Sequence, residues 1–175
     1  LENSESHSVY HAEYQEYLER EHYWLFDYAL YMALKKKYEG KSWTDWEDGE
    51  RLRDKKALEA AAEEFTEDID FYRFLQFEFD RQWKKLHAYA KEQGIKIIGD
   101  IPFYVAMDSA ATWAHADIFR FDKDLVPTVV AGCPPDAFSP TGQLWGNPVY
   151  DWKKLKKDGY GWWIQRFARN FEVYD

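Results

Sequence analysis

The sequence predicts an α/β fold in which a helical N-terminal half precedes a strand and a long irregular segment. Three observations lead there. Apolar residues recur at helical spacing through most of the first 93 residues, and a β-branched run bounded by Gly94 and Gly99 follows directly. All six prolines then fall between residues 102 and 148.

The first helix is expected over His11 to Tyr38, where Tyr14, Leu18, Leu25, Tyr28, Ala29 and Met32 make one stripe at steps of three, four and seven. Gly40 is a helix stop. Lys41 to Arg53 is a linker carrying Trp43 and Trp46. Asp54 is a good N-cap for a longer helix reaching Gln93, with a break expected around Glu64 to Glu67. Phe71, Phe74, Leu75, Phe79, Trp83, Leu86 and Ala90 mark one face of it, and Gly94 closes it.

Ile95-Lys96-Ile97-Ile98-Gly99-Asp100 reads as a buried strand. Asp100 then falls at its C-terminal end, where parallel α/β folds carry their functional groups. A helix cap or a partner for an Arg is the structural alternative for this carboxylate. A short helix near Ser109, a brief strand over Val126 to Val130 and a final helix from Tyr160 to Phe171 complete the reading. Trp163, Phe167 and Phe171 stripe that helix at steps of four. Residues 1–94 thus form a helical segment, and residues 95–175 a strand, loop and helix, together part of one domain.

Charge and composition exclude several classes. With 23 Lys and Arg against 32 Asp and Glu, the net charge of −9 argues against a nucleic-acid partner. The runs Lys35-Lys36-Lys37 and Lys153 to Lys157 read as solvated helix ends. Cys133 is the lone cysteine, so no internal disulfide forms and a reducing, cytoplasmic setting is expected. No apolar run approaches the roughly 20 residues of a membrane helix, and no signal peptide is visible. Zinc spacing, a phosphate-cradling glycine loop and a Gly-x-Ser-x-Gly elbow are all missing, and His115 reads as structural or surface. No metal or cofactor is expected.

Aromatic residues make 19% of the chain, with 9 Trp, 13 Tyr and 12 Phe. Many must be core, yet Trp43, Trp46, Trp113, Trp145 and Trp152 lie in turn-like or irregular sequence. The stretch from Pro134 to Pro148 has neither helix nor strand period and sets Trp145 between Gly142 and Gly146. Long ordered segments of this kind are usually functional. An aromatic ring beside amides and carboxylates suits a sugar, whose C–H face lies on the ring while polar groups take its hydroxyls. The alternative is an irregular connection whose Trp145 packs on the core. Paired carboxylates are the machinery of glycoside chemistry, and Asp100, Asp108, Asp117, Asp122, Asp124 and Asp136 all lie in this half.

The run Ile97-Ile98-Gly99-Asp100-Ile101-Pro102-Phe103-Tyr104-Val105, with Asp108-Ser109-Ala110, Trp113-Ala114, Pro127 to Gly132 and the Pro134–Pro148 loop, closely resembles the 4-α-glucanotransferases, also called amylomaltases or disproportionating enzymes. Tyr23 to Leu30, Tyr150-Asp151-Trp152 and Gly161-Trp162-Trp163 agree, so the resemblance spans essentially the whole chain. It implies part of a (β/α)8 TIM barrel of the α-amylase superfamily type. The activity implied is a retaining double displacement that transfers α-1,4-glucan segments between maltooligosaccharides. Asp100 would line the subsite at the cleaved bond, and Asp136 to Asn147 would form a mobile lid, with Gln143 and Trp145 touching sugar.

Ala111 and Ala116 depart from the family pattern beside Trp113. The family's nucleophile motif, Arg-x-Asp-His-Phe-Arg, does not occur; Arg120-Phe121-Asp122-Lys123 matches it only superficially. The chain is therefore expected to be an internal fragment beginning at Leu1, inactive alone, with no catalytic residue and with Asp100, Asp136, Gln143, Trp145 and Asn147 as substrate-binding residues. The alternative is a non-catalytic maltooligosaccharide-binding module, or one that self-associates through exposed barrel edges. Neither nucleic acid nor membrane is expected as a partner.

Overall fold

The first two helices, Glu2–Arg20 (α1) and His22–Lys37 (α2), meet at Glu21, where a single helix was expected over His11 to Tyr38. The structure, a computed structural model, describes residues 2–175, with side chains from Tyr10 onward. The interruption coincides with a buried carboxylate. Glu21 accepts hydrogen bonds from Arg20 Nε (2.9 Å) and Trp24 Nε1 (2.7 Å). Arg20 also reaches Asp80 (3.0 Å), another buried carboxylate, which takes Lys84 Nζ at 2.8 Å. Buried charges hold only when paired, so this corner is set by ion pairing.

Lys35, Lys36 and Lys37 end α2, where cations complement the helix dipole. Gly40 (φ +81°) turns the chain. The Trp43–Asp45 turn that follows is no surface linker: Trp43 and Trp46 are both buried. Trp46 stacks on Tyr38 (5.3 Å) and donates Nε1 to Lys41 O. Asp48–Arg51 (α3) leads to Lys55–Glu64 (α4), capped as expected by Asp54, whose Oδ1 accepts from Lys56 N and Ala57 N, each at 3.1 Å. The long helix Thr66–Glu92 (α5) restarts after Phe65, inside the expected break.

The chain forms two compact units, one up to Tyr89 and one from Ala90 to Asp175. The core of the first gathers Tyr17, Leu25 and Phe77, with Tyr10, Tyr14, Leu18 and Trp24 packed around them. Phe77 carries the ring contacts, with Tyr10, Tyr14 and Tyr17 at 5.4, 5.2 and 5.6 Å. Other members of the α5 stripe, Phe71, Leu75, Phe79 and Leu86, stay exposed. Tyr10 Oη donates to Glu78 Oε1 at 2.5 Å. Burial and that bond push its phenol up to about 12, and the same bond holds Glu78 below the usual carboxylate range.

In the second unit, Gly94 (φ +72°) ends the helix as expected, but Ile95–Asp100 joins no ladder among the described residues. The expected buried strand is extended chain instead, and Ile98 is 92% exposed. A strand needs a neighbour to satisfy its backbone; here Asp175 N donates to Ile97 O (3.0 Å) and Ile97 N to the Asp175 carboxylate (2.8 Å). Ala110–Ala114 (α6) is capped by Ser109, as expected. The strand expected at Val126–Val130 lies later, at Val130–Cys133 (β1), and pairs antiparallel with Gln143–Pro148 (β2), inside the stretch expected to be irregular. Trp152–Lys157 (α7) and Gly161–Val173 (α8) follow.

Tyr150 is the hub of this unit. It is 1% exposed, packs with Ile118, Phe119, Leu155 and Trp163, and donates Oη to Phe103 O at 2.9 Å. Burial pushes its phenol up, partly offset by the Arg166 guanidinium. The side chain of Arg166 also ties Pro102 O at 2.5 Å.

Two outcomes follow from these cores. Removing the Tyr150 ring, as in Tyr150→Ala, is expected to cost about 3–5 kcal/mol, against about 1 kcal/mol for Tyr150→Phe, measured by urea unfolding followed by near-UV circular dichroism. Tyr10 contributes stability that is complete below its unfolded pKa of 10.0 and is lost as pH rises toward about 12. Tyr10→Phe should flatten part of the decline in urea midpoint over that range.

Candidate carbohydrate-binding hairpin

The stretch singled out in the sequence folds as a β-hairpin. Cys133 pairs with Gln143, Gly132 with Leu144 and Val130 with Pro148. Between the last two pairs β1 has one residue, Ala131, while β2 has three, Trp145, Gly146 and Asn147. Such a bulge interrupts the alternation of faces and re-aims the residues it carries. Gly146, at φ +78°, supplies the backbone conformation that lets the chain bend there. At the loop end, a Cβ on Gly132 would sit 2.4 Å from Gln143 O, so the two strands approach too closely for any side chain at that position.

Trp145 is held on this bulge with half its surface open, 49% exposed. Its indole Nε1 donates to Gln143 Oε1 at 2.9 Å, and its ring lies 6.1 Å from that of Tyr104. The structure therefore brings Gln143 and Trp145 together as an aromatic surface with a bonded amide at its edge. Tyr104 joins them, a neighbour not singled out from sequence; its signal was an aromatic in the Ile101-Pro102-Phe103-Tyr104 run after Asp100.

Asn147 and Asp136 sit in the same hairpin, each with one polar atom bonded to backbone and its other one, Asn147 Oδ1 and Asp136 Oδ2, without a partner among the described residues. Asn147 Nδ2 donates to Val105 O at 2.8 Å, tying β2 to the segment that carries Tyr104. Asp136 Oδ1 accepts from Phe138 N (2.9 Å) and Ser139 N (2.7 Å), folding the loop tip into an Asx turn. Ser139 Oγ donates to Gly142 O at 2.8 Å, which closes that turn. Phe138 stands at the tip, 94% exposed.

Asp100 is exposed on the extended segment, and its carboxylate has no hydrogen-bond or ion-pair partner among the described residues. It shares no hydrogen bond with the hairpin residues. Asp122, the superficial match to a nucleophile motif, accepts from Asp124 N (2.9 Å) and Val126 N (3.0 Å) and so builds a turn. Among the described residues no group of three His, Cys, Asp or Glu side chains is placed to hold a metal ion, and no helix is long and apolar enough to cross a membrane.

Comparison with known proteins points one way. The family model described as 4-alpha-glucanotransferase matches residues 2–175. A 4-alpha-glucanotransferase of Clostridium butyricum is 48% identical over 163 residues, 93% of this chain and 34% of that protein. One from Thermus thermophilus is 49% identical over 156 residues, 89% of this chain and 31% of that protein. The solved structure of an amylomaltase from Streptococcus agalactiae in complex with acarbose superposes with a TM-score of 0.86 at 37% identity, covering 93% of this chain and 33% of that one. The chain thus spans about a third of the length of the relatives it matches.

Asp136→Ala removes the acceptor of two loop N–H groups. Limited proteolysis should then cut within residues 134–142 several-fold faster, with the unfolding midpoint in urea little changed because the loop tip lies outside the core.

Proposed function

The chain belongs to the 4-alpha-glucanotransferase family, and from that premise we propose that it forms part of the glucan-binding surface of an enzyme that transfers α-1,4-glucan segments between maltooligosaccharides. The observation that carries this reading is the braced, half-exposed Trp145 with its indole N–H held by Gln143. A ring locked at its polar edge offers the C–H face of a glucose unit a preformed platform, so little ordering entropy is lost when sugar lands on it.

In the proposed reaction a nucleophilic carboxylate displaces the leaving chain at an α-1,4 bond, and the covalent glucosyl-enzyme is resolved by the 4-hydroxyl of an acceptor. Two inversions return the α configuration. The residues of this chain bind and orient. Trp145, Gln143 and Tyr104 support glucose units of the acceptor chain, while the free Asp100 carboxylate takes hydroxyls at the cleaved bond. Asp136 and Asn147 shape the loop through Oδ1 and Nδ2, and their remaining oxygens, Asp136 Oδ2 and Asn147 Oδ1, are open to sugar hydroxyls. The family's nucleophile motif is not in these 175 residues, and Asp122 builds a turn, its Oδ1 accepting two backbone N–H groups. In the parent enzyme this chain would supply one strand position and one helix of a (β/α)8 barrel, in the cytoplasm.

Two readouts test the proposal on the 175-residue chain. Isothermal titration with maltoheptaose should show saturable binding that Trp145→Ala weakens by about tenfold or more, the loss of one stacking platform. Incubation with maltotriose should release no glucose and build no longer chains. Equal affinity in Trp145→Ala would remove the hairpin from the binding surface, and turnover abolished by Asp122→Asn would return that residue to the chemistry.

A further inference from the structure

A second cleft in the C-terminal unit shares no residue with the hairpin platform. Two extended segments lie side by side there: Arg120 N donates to Val149 O (2.8 Å), Asp151 N donates to Ile118 O (2.8 Å), and Phe119 bridges Tyr150. They frame a cleft of about 490 Å³ lined by Arg120, Val149, Tyr150, Asp151, Trp152 and Lys153. That volume falls within the range of small-molecule sites.

Its electrostatics are unusual for a chain of net charge −9. The side-chain cations of Arg120 and Lys153 have no ion-pair or hydrogen-bond partner among the described residues. One acid, Asp151, lines the cleft, and Asp117 nearby is already paired. Asp151 Oδ1 accepts from Lys153 N (3.0 Å) and Lys154 N (3.2 Å), and Asp117 pairs with Lys154. The Arg120 backbone is fixed as well, its carbonyl accepting both the N–H and the hydroxyl of Thr128 at 2.9 Å. Trp152 lines the same cleft, 44% exposed and braced by Tyr150 (5.5 Å), Phe103 (6.1 Å) and a stacked Trp163 (6.1 Å).

We propose that this cleft binds a phosphorylated hexose, with the pyranose ring on Trp152 and the phosphate between Arg120 and Lys153. Two unpaired cations against the single carboxylate of Asp151 leave the lining net positive, and a guanidinium presents the fork that phosphate oxygens accept. A braced indole matches a pyranose face, so the pair of features selects a sugar that carries its own anion. The source is either a free hexose phosphate or a phosphorylated glucose unit within a glucan. The site stands whether or not the hairpin binds acceptor sugar.

Isothermal titration of the 175-residue chain tests it, with glucose 6-phosphate, glucose and inorganic phosphate as separate probes. Saturable binding of glucose 6-phosphate is expected, with glucose and inorganic phosphate each weaker by about tenfold or more. The exposed pair of substitutions Arg120→Gln and Lys153→Gln, which leaves the Trp152 packing in place, should lower the affinity for glucose 6-phosphate by about tenfold or more while the circular dichroism spectrum is kept. A maltooligosaccharide phosphorylated at a 6-hydroxyl distinguishes the sources: tighter binding than the monosaccharide assigns the cleft to modified glucan, and weaker or equal binding assigns it to the free sugar phosphate. Unchanged affinity in the double variant, inorganic phosphate binding as tightly as the sugar phosphate, or no saturable binding of any phosphate probe would each overturn the proposal.

Discussion

An indole or phenol packed into this chain brings a polar edge with it, and much of the fold gives those edges partners, although the buried Trp163 Nε1 has none among the described residues. A buried N–H or O–H left unmatched costs as much as several good packing contacts return. In the first unit Trp24 finds Glu21, Trp46 finds the carbonyl of Lys41, and Tyr10 finds Glu78. In the second, Tyr150 finds the carbonyl of Phe103 and Trp145 finds Gln143. With 22 such residues, the 9 Trp and 13 Tyr, this requirement helps decide where the chain bends. The corner at Glu21 is the clearest case: the carboxylate that receives Trp24 sits where α1 gives way to α2.

The hairpin follows from the same requirement in an open setting. Pro148 and Tyr150 are buried at the base of β2, and Asn147 ties that base to Val105, so the strand is anchored at one end. The bulge opposite Ala131 then places Trp145 outside the ladder. Its indole N–H turns to the side chain two residues earlier on the same strand. The result is a ring fixed by local bonds and exposed on one side, which is the arrangement a stacking platform needs and a flexible loop would not provide.

Legibility in the sequence tracked how local each cause was. The Asp54 cap, the break after Glu64, the Gly40 and Gly94 stops and the helix start near Ser109 depend on a few adjacent residues, and all were readable. Ile95–Asp100 was misread because β-branched residues report a preference for extended backbone, whereas a strand also needs a neighbouring one. β2 was missed for the opposite reason. Its ladder exists, but three residues facing one destroy the two-residue alternation by which strands are recognised. The pair of Asp80 with Arg20, which joins Glu21 at the same corner, spans 60 positions, beyond any local pattern. At the candidate site, Trp145 and Gln143 were legible from their chemistry, while Tyr104 came into view only through folding.

The aspartates of the second unit sort themselves by what already holds them. Asp122, Asp136 and Asp151 each accept two backbone N–H groups, so each is committed to a turn or a cap. In each case both N–H groups go to Oδ1, so drawing that oxygen away would loosen the local backbone, while Oδ2 stays open. Asp117 is committed to Lys154. Asp100 differs: it lies on extended chain, exposed, with no such bond among the described residues. A carboxylate kept open at no structural benefit to its own segment offers both oxygens to substrate, which is why Asp100 fits the role proposed at the cleaved bond better than neighbours that spend one oxygen on a turn or a cap.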